Sequence, residues 1–251
     1  MHGSVHRYNQ PMSINRIRIT AMALLAAAFI IAGNQQARAE TKTILLVGAS
    51  SIEGTLGKEI EDRLEKEYKD VKIVRWGQHS TGLANPELLD WHKKLDELLK
   101  ANKPDLVVAD LGENDCAPVT DSNGPIARFG TSEWEKVYDE RVRKFVKMVK
   151  DSGADSVMLG IPTMRDRNFS SQVEQLNGVL KGATEAAGGF YLDTWEFTAD
   201  NKGNYVPNLE YEGKDRMIRA SDGVHFSKHG SEYMAFKICE ILESKYGLQP
   251  K

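Results

Sequence analysis

Cysteine is scarce in this chain: Cys116 and Cys239 are the only two. That excludes a scaffold built on several disulfides. Whether the pair bridges or stays as two buried thiols depends on a separation that sequence spacing does not give. Positive charge is not in excess either, with 33 Lys plus Arg against 36 Asp plus Glu. A chain of that balance has no electrostatic footprint for nucleic acid, so no nucleic-acid partner is expected. Internal repeats and low-complexity tracts are absent. The apolar run near the start, Ile19 to Ala32, is 14 residues, short of the ~20 that a spanning helix needs.

What precedes and follows that run gives it another meaning. Residues 1–39 carry Arg7, Arg16, Arg18 and Arg38 but no acidic residue, and they end in Ala37-Arg38-Ala39. Basic, apolar and small-x-small segments in that order are the pattern of a cleaved export signal. Cleavage after Ala39 is the expectation, leaving residues 40–251 as one domain with no membrane span, located in the periplasm or otherwise exported. Loss of the four leader arginines lowers Lys plus Arg from 33 to 29 and brings the net charge to −7.

Beyond the leader, strand-like runs alternate with amphipathic helical stretches, as in a parallel sheet covered on both faces. Strands are predicted at Thr43–Val47, Val71–Trp76, Asp105–Leu111, Ser156–Ile161 and Phe190–Asp193. Helices are predicted at Gly57–Tyr68, Pro86–Lys100, Ser132–Lys150, Ser171–Ala187 and Lys228–Tyr246. The third of these reads as capped by Ser132, with Glu135 completing a capping box. Cys116–Gly130 reads as an irregular excursion, and Trp195–Ala220 as a loop or hairpin.

Four short segments could carry chemistry. Gly48-Ala49-Ser50 ends the first strand, where α/β sheets bind ligands, although serine is also a favoured helix cap. Ser80-Thr81-Gly82 follows the second strand, and Gly82 lets its backbone N–H approach a substrate closely. Gly112-Glu113-Asn114-Asp115 follows the third, and an Asn amide there can donate to a developing oxyanion. Asp222-Gly223-Val224-His225 precedes the last helix, a spacing at which the carboxylate can orient the imidazole.

In that order the segments resemble the blocks of the SGNH hydrolases, also called GDSL esterases. Gly48 to Gly54 stands for the family's Gly-Asp-Ser-x-x-x-Gly, Gly82 for its second-block glycine, Gly112–Asp115 for Gly-x-Asn-Asp, and Asp222 with His225 for Asp-x-x-His. Ile161-Pro162-Thr163-Met164-Arg165-Asp166 and the closing block look like an exported bacterial branch classed largely as domains of unknown function. The resemblance implies an α/β fold, a flavodoxin-like three-layer α/β/α sandwich with a central parallel sheet. It implies Ser50 as nucleophile, His225 as base and Asp222 as its partner, with an oxyanion hole from the Ser50 and Gly82 amides and the Asn114 side chain. One position departs: Ala49 stands where the family has aspartate.

Rival residues are fewer than they look. Ser51 is adjacent to Ser50, but successive extended positions face opposite ways and the Gly-x-Ser spacing selects Ser50. His225 and His229 are four apart, yet no nearby Glu or Cys completes a zinc set, so no metal is expected. Gly48–Gly57 lacks both the Lys-Ser/Thr of a P-loop and the Gly-x-Gly-x-x-Gly spacing, so no cofactor is expected. His79, Arg165 and Arg167 are candidates for lining the substrate cleft, with a solvated charged loop as the alternative for the two arginines. The expected substrate is a small ester or an acetylated envelope glycan. A lipid or thioester hydrolase and a non-catalytic envelope-binding protein of the same fold stand as alternatives.

Overall fold

A computed structural model describes residues 41–251; the leader and its cleavage point lie outside the described residues. β1 (Lys42–Gly48) is apolar without alternation because both its faces are covered, as parallel strands require. Its side chains divide the core. Ile44 and Leu46 pack with Ile60 and Leu64 of α2 (Thr55–Glu67) and with Met234, Ile238 and Leu242 of α7 (Lys228–Tyr246). Leu45 and Val47 face the other layer, which holds Trp91 and Leu95 of α3 (Trp91–Asn102), Tyr138 and Phe145 of α4 (Ser132–Asp151), and Leu176 of α5 (Arg167–Ala186).

The remaining central strands are β2 (Val71–Gly77), β3 (Leu106–Asp110), β6 (Asp155–Leu159) and β7 (Phe190–Leu192). They order as β2-β1-β3-β6-β7, all parallel. This is the expected flavodoxin-like sandwich. The strand order reverses between β1 and β3, so the crevice at their carboxyl ends is where a ligand site belongs.

Local hydrogen bonding moves several boundaries. Pro86 does not start a helix: Asn85 Oδ1 takes the Glu87 N–H, and Asp90 caps α3 by accepting from the amides of His92 and Lys93. Leu88, within the predicted helix Pro86–Lys100, is exposed. Thr131, not Ser132, caps α4, accepting from Trp134 N–H. Asp166 caps α5 through Phe169 N–H, which starts that helix four residues before the predicted Ser171.

The predicted excursion after Cys116 contains a small hairpin, β4 (Val119–Asp121) with β5 (Gly124–Ala127). The Trp195–Ala220 segment holds a one-turn helix, α6 (Trp195–Thr198), and the hairpin β8 (Asn208–Tyr211) with β9 (Lys214–Met217). Glu212 and Gly213 both take positive φ in its two-residue turn, as a type I′ hairpin demands.

Cys116 packs in one core layer and Cys239 in the other, so the sheet separates two free thiols. Burial pushes each to about 12. Among the described residues, no helix is long and apolar enough to cross a membrane.

Candidate active site

At the carboxyl end of β1 the chain turns sharply into the one-turn helix α1 (Ser50–Glu53). Two glycines make room for it. A Cβ on Gly48 would lie 2.5 Å from the Asp110 carbonyl oxygen and 2.6 Å from Ile52 Cγ1, and one on Gly77 would lie 2.4 Å from Glu53 N. Ala49 holds the cap position of α1, and no side chain caps that helix, so Ser50 is not spent as an N-cap. Its Oγ instead lies 3.1 Å from His225 Nε2. Ser51 lines a small neighbouring pocket with Asp110 and Glu113, and it makes no hydrogen bond to His225.

His225 Nδ1 lies 2.8 Å from Asp222 Oδ2. The other Asp222 oxygen accepts from the amides of Val224 and His225 at 2.8 and 3.0 Å. Burial pushes the Asp222 carboxyl up, but the hydrogen bonds from the His225 ring and the two amides outweigh it and hold it at about 2. An ionised Asp222 requires the imidazole hydrogen on Nδ1, which leaves the Nε2 lone pair facing Ser50.

Arg165 positions this loop from outside. Its guanidinium donates to the Ser221 and Asp222 carbonyls at 2.7 and 2.8 Å, and its backbone N–H donates to Gly223 O at 3.1 Å. Gly223 has φ +75, and a Cβ there would lie 2.4 Å from Arg165 Cβ. The arginine therefore packs directly on the turn. From inside, the buried Arg219 donates to the carbonyls of Thr163 and Val224 and lies against the rings of Tyr205 and Phe226. Burial pushes its guanidinium down to about 10.

The Gly-x-Asn-Asp block ties the second loop to the site. Buried Asp115 accepts from Leu83 N–H and Ala84 N–H, both at 2.9 Å, and from Tyr138 O–H at 2.7 Å. Burial raises its carboxyl, and those hydrogen bonds oppose the rise. Asn114 Nδ2 donates to Thr81 O at 3.0 Å. That uses one of its two hydrogens and leaves the other for a ligand. A trans peptide points its C=O and N–H apart, so the Gly82 N–H projects away from the carbonyl that Asn114 holds. The Ser50 N–H is the first donor of α1, one of the groups a helix start leaves unpaired.

A Cβ on Gly82 would lie 2.1 Å from Asp115 Oδ1. Gly82→Ala is therefore expected to destabilise the fold by about 1–3 kcal/mol through forced displacement of a packed group. Thermal denaturation of the two proteins measures it, and an unchanged melting temperature would refute it.

Residues 43–240 match the family described as "Protein of unknown function (DUF459)". The chain belongs to DUF459. No curated protein sequence matches it significantly. Several solved structures share its fold. A psychrotrophic esterase, EstA from Pseudoalteromonas sp., inhibited by monoethylphosphonate, superposes with a TM-score of 0.57 at 14% identity, covering 82% of this chain and 99% of that one. A catalytic mutant of Axe2, an acetylxylan esterase from Geobacillus stearothermophilus, gives 0.60 at 16% identity, covering 80% and 94%. A GDSL-like lipase from Bacteroides thetaiotaomicron gives 0.57 at 14%, covering 81% and 89%. The DUF459 chain thus has the three-layer fold of GDSL-type esterases and lipases.

The other candidates in this DUF459 chain fall at different distances from the array. His79 bonds to Glu53, through its ring nitrogen at 3.0 Å and its amide at 2.7 Å, and is exposed. Arg167, in the first turn of α5, is exposed and lines an open polar cleft of about 690 Å³ with Arg165, Glu174, Trp195, Asn204 and Tyr205. His92 donates its Nε2–H to the Arg141 carbonyl at 2.9 Å, away from the array. His229 lies beside Glu232 at 3.0 Å, and among the described residues no group of three metal-ligating side chains gathers.

Sequence reasoning missed Arg219, Glu113 and the clamping role of Arg165. Arg219 lay in a segment read as a polar loop. Glu113 occupies the variable position of its block, where no pattern marks a role.

Proposed function

We propose that this DUF459 protein is an exported serine esterase that removes short acyl groups, O-acetyl foremost, from a cell-envelope carbohydrate. The observation that carries the reading is the linear contact of Ser50 Oγ, His225 and Asp222 at 3.1 and 2.8 Å, at a sheet's switch point. Such a relay fits two-step acyl transfer. His225 Nε2 takes the Ser50 proton as Oγ attacks the ester carbonyl, and Asp222 stabilises the imidazolium that forms. The protonated His225 then gives its proton to the leaving alcohol. Water, deprotonated by the same imidazole, attacks the acyl-serine and releases the acid.

In this reading the tetrahedral oxygen is held by the Ser50 N–H and the free hydrogen of Asn114. Asn114→Ala is accordingly expected to lower kcat on the order of 10²–10³-fold with KM little changed. Steady-state kinetics on a short aryl ester read this directly, and a selective rise in KM would argue against it.

The substrate class rests on the cleft and on the neighbours. A polar cleft with an indole at one wall, beside the loop that carries Asp222, suits a sugar better than a long acyl chain. Axe2 is an acetylxylan esterase by its description, which favours an acetyl group. Export rests on the basic, apolar and Ala-x-Ala order of residues 1–39.

The test is fluorophosphonate labelling of the purified protein, followed by assay against acetylated glycans and against short and long aryl esters. Labelling at Ser50 and preference for acetyl over long acyl groups are expected. A protein that neither labels nor turns over any ester is not a serine hydrolase.

A further inference from the structure

Ser50 Oγ has a second close neighbour that the relay leaves unused. Glu113 Oε2 lies 3.4 Å from it. Glu113 follows Gly112, whose φ of +139 turns the chain at the end of β3 and brings the carboxyl under α1. The groups facing it come from every surrounding element: Asp110 from β3, Ser50 from α1, and Arg219, Asp222 and His225 from the closing segment.

Hydrogen counting constrains what Glu113 can be. Ser50 has one hydroxyl hydrogen. The imidazole hydrogen is committed to Asp222, so His225 Nε2 is a bare acceptor that needs that serine hydrogen. A carboxylate is acceptor-only and, being charged, competes for it with a bond roughly twice as strong as a neutral one. A protonated carboxyl does the reverse and donates to the Oγ lone pair.

We propose that Glu113 is a positioning residue for Ser50: as the neutral acid it donates to Oγ and leaves the serine hydrogen aimed at His225, and as the carboxylate it takes that hydrogen for itself. No bond between heavy atoms changes; one proton leaves Glu113 and one hydroxyl hydrogen turns. The proposal rests on Ser50 being the nucleophile, as above.

The surroundings act on the Glu113 proton in opposite directions. Burial pushes the Glu113 carboxyl up, while the positive charge of His225 and Arg219 and the Ser50 hydrogen bond pull against it. Asp110 is pushed up to about 8, first by burial and then by the charge of Glu113. Two carboxyls that share a site do not readily ionise together. The sign follows: the productive form is present below the raised Glu113 ionisation and is lost as pH rises through it.

The experiment is the rate of fluorophosphonate labelling at Ser50 from about pH 5 to about pH 10, with Glu113→Gln beside the unmodified protein. The unmodified rate should fall by about tenfold or more at the alkaline end. Glu113→Gln keeps a donor and cannot ionise, so its rate should stay within about twofold of its own maximum there, whatever its absolute level. A falling limb that persists unchanged in Glu113→Gln overturns the proposal while leaving the esterase intact. No labelling of the unmodified protein at any pH overturns the serine-hydrolase reading and this proposal with it.

Discussion

Ser50→Ala is expected to lower kcat on the order of 10⁴–10⁶-fold and to abolish fluorophosphonate labelling. At about 1.36 kcal/mol per tenfold, that loss is roughly 5–8 kcal/mol of transition-state stabilisation. The reason is that no other described side chain stands where Oγ stands, 3.1 Å from His225 Nε2. Ser51 does not substitute, since the His225 Nε2 contact is made by Ser50 alone of the two. What survives is the rate that the oxyanion donors supply to attack by water. Because the Ser50 side chain caps no helix, the variant should keep its stability within about 0.5 kcal/mol. A folded Ser50→Ala protein with undiminished turnover would remove the proposed mechanism.

Asp222→Asn is expected to cost on the order of 10⁴ in kcat with the fold intact. One carboxyl oxygen already accepts from the amides of Val224 and His225. An asparagine must put its own oxygen there, which turns its NH₂ toward His225 Nδ1. Two donors cannot face each other, so the imidazole moves its hydrogen to Nε2 and loses the ability to accept from Ser50. Wild-type behaviour with pH follows from the same bonds. The Asp222 carboxyl, held at about 2, stays ionised until strongly acid conditions. Its contribution to stability is present above the ordinary Asp range and is lost as pH falls toward that value; at half exposure it is small. An Asp222→Asn protein within tenfold of wild type would refute the orienting role.

Much of the architecture was legible because burial on both faces leaves a signature. Ile44 to Val47 and Leu106 to Ala109 are apolar without alternation, and only covered parallel strands read that way. Lys228–Tyr246 could be read to the residue, since Ser227 and Gly247 bound it and each takes the conformation its position demands. Boundaries failed where a side chain outcompeted the periodic pattern. Asp90 captured the amides of His92 and Lys93, so the apolar stretch from Pro86 began to coil only at Trp91.

At the site, the residues in the family-like blocks were named from the resemblance, and those that pack around them were not. Asp115 was visible only as the end of a motif, yet its carboxyl fastens the whole Gly82 loop. Arg165 was read as lining the substrate cleft, whereas two of its donors go to the Ser221 and Asp222 carbonyls. Such roles depend on contacts across 56 and 57 residues of chain, and local patterning carries no record of them.

The packing of α2 against α7 has a consequence for the history of each molecule. The hydroxyl belongs to the turn that enters α2 and the imidazole to the turn that enters α7, 175 residues later. Tyr68, at the end of α2, bonds Glu243 in α7 at 2.8 Å, and the strand-like tip beyond α7 bridges back to it. The reactive pair is thus born only when the last helix docks on the first layer. A chain that lacks the closing segment therefore lacks the contact between the Ser50 hydroxyl and the His225 ring.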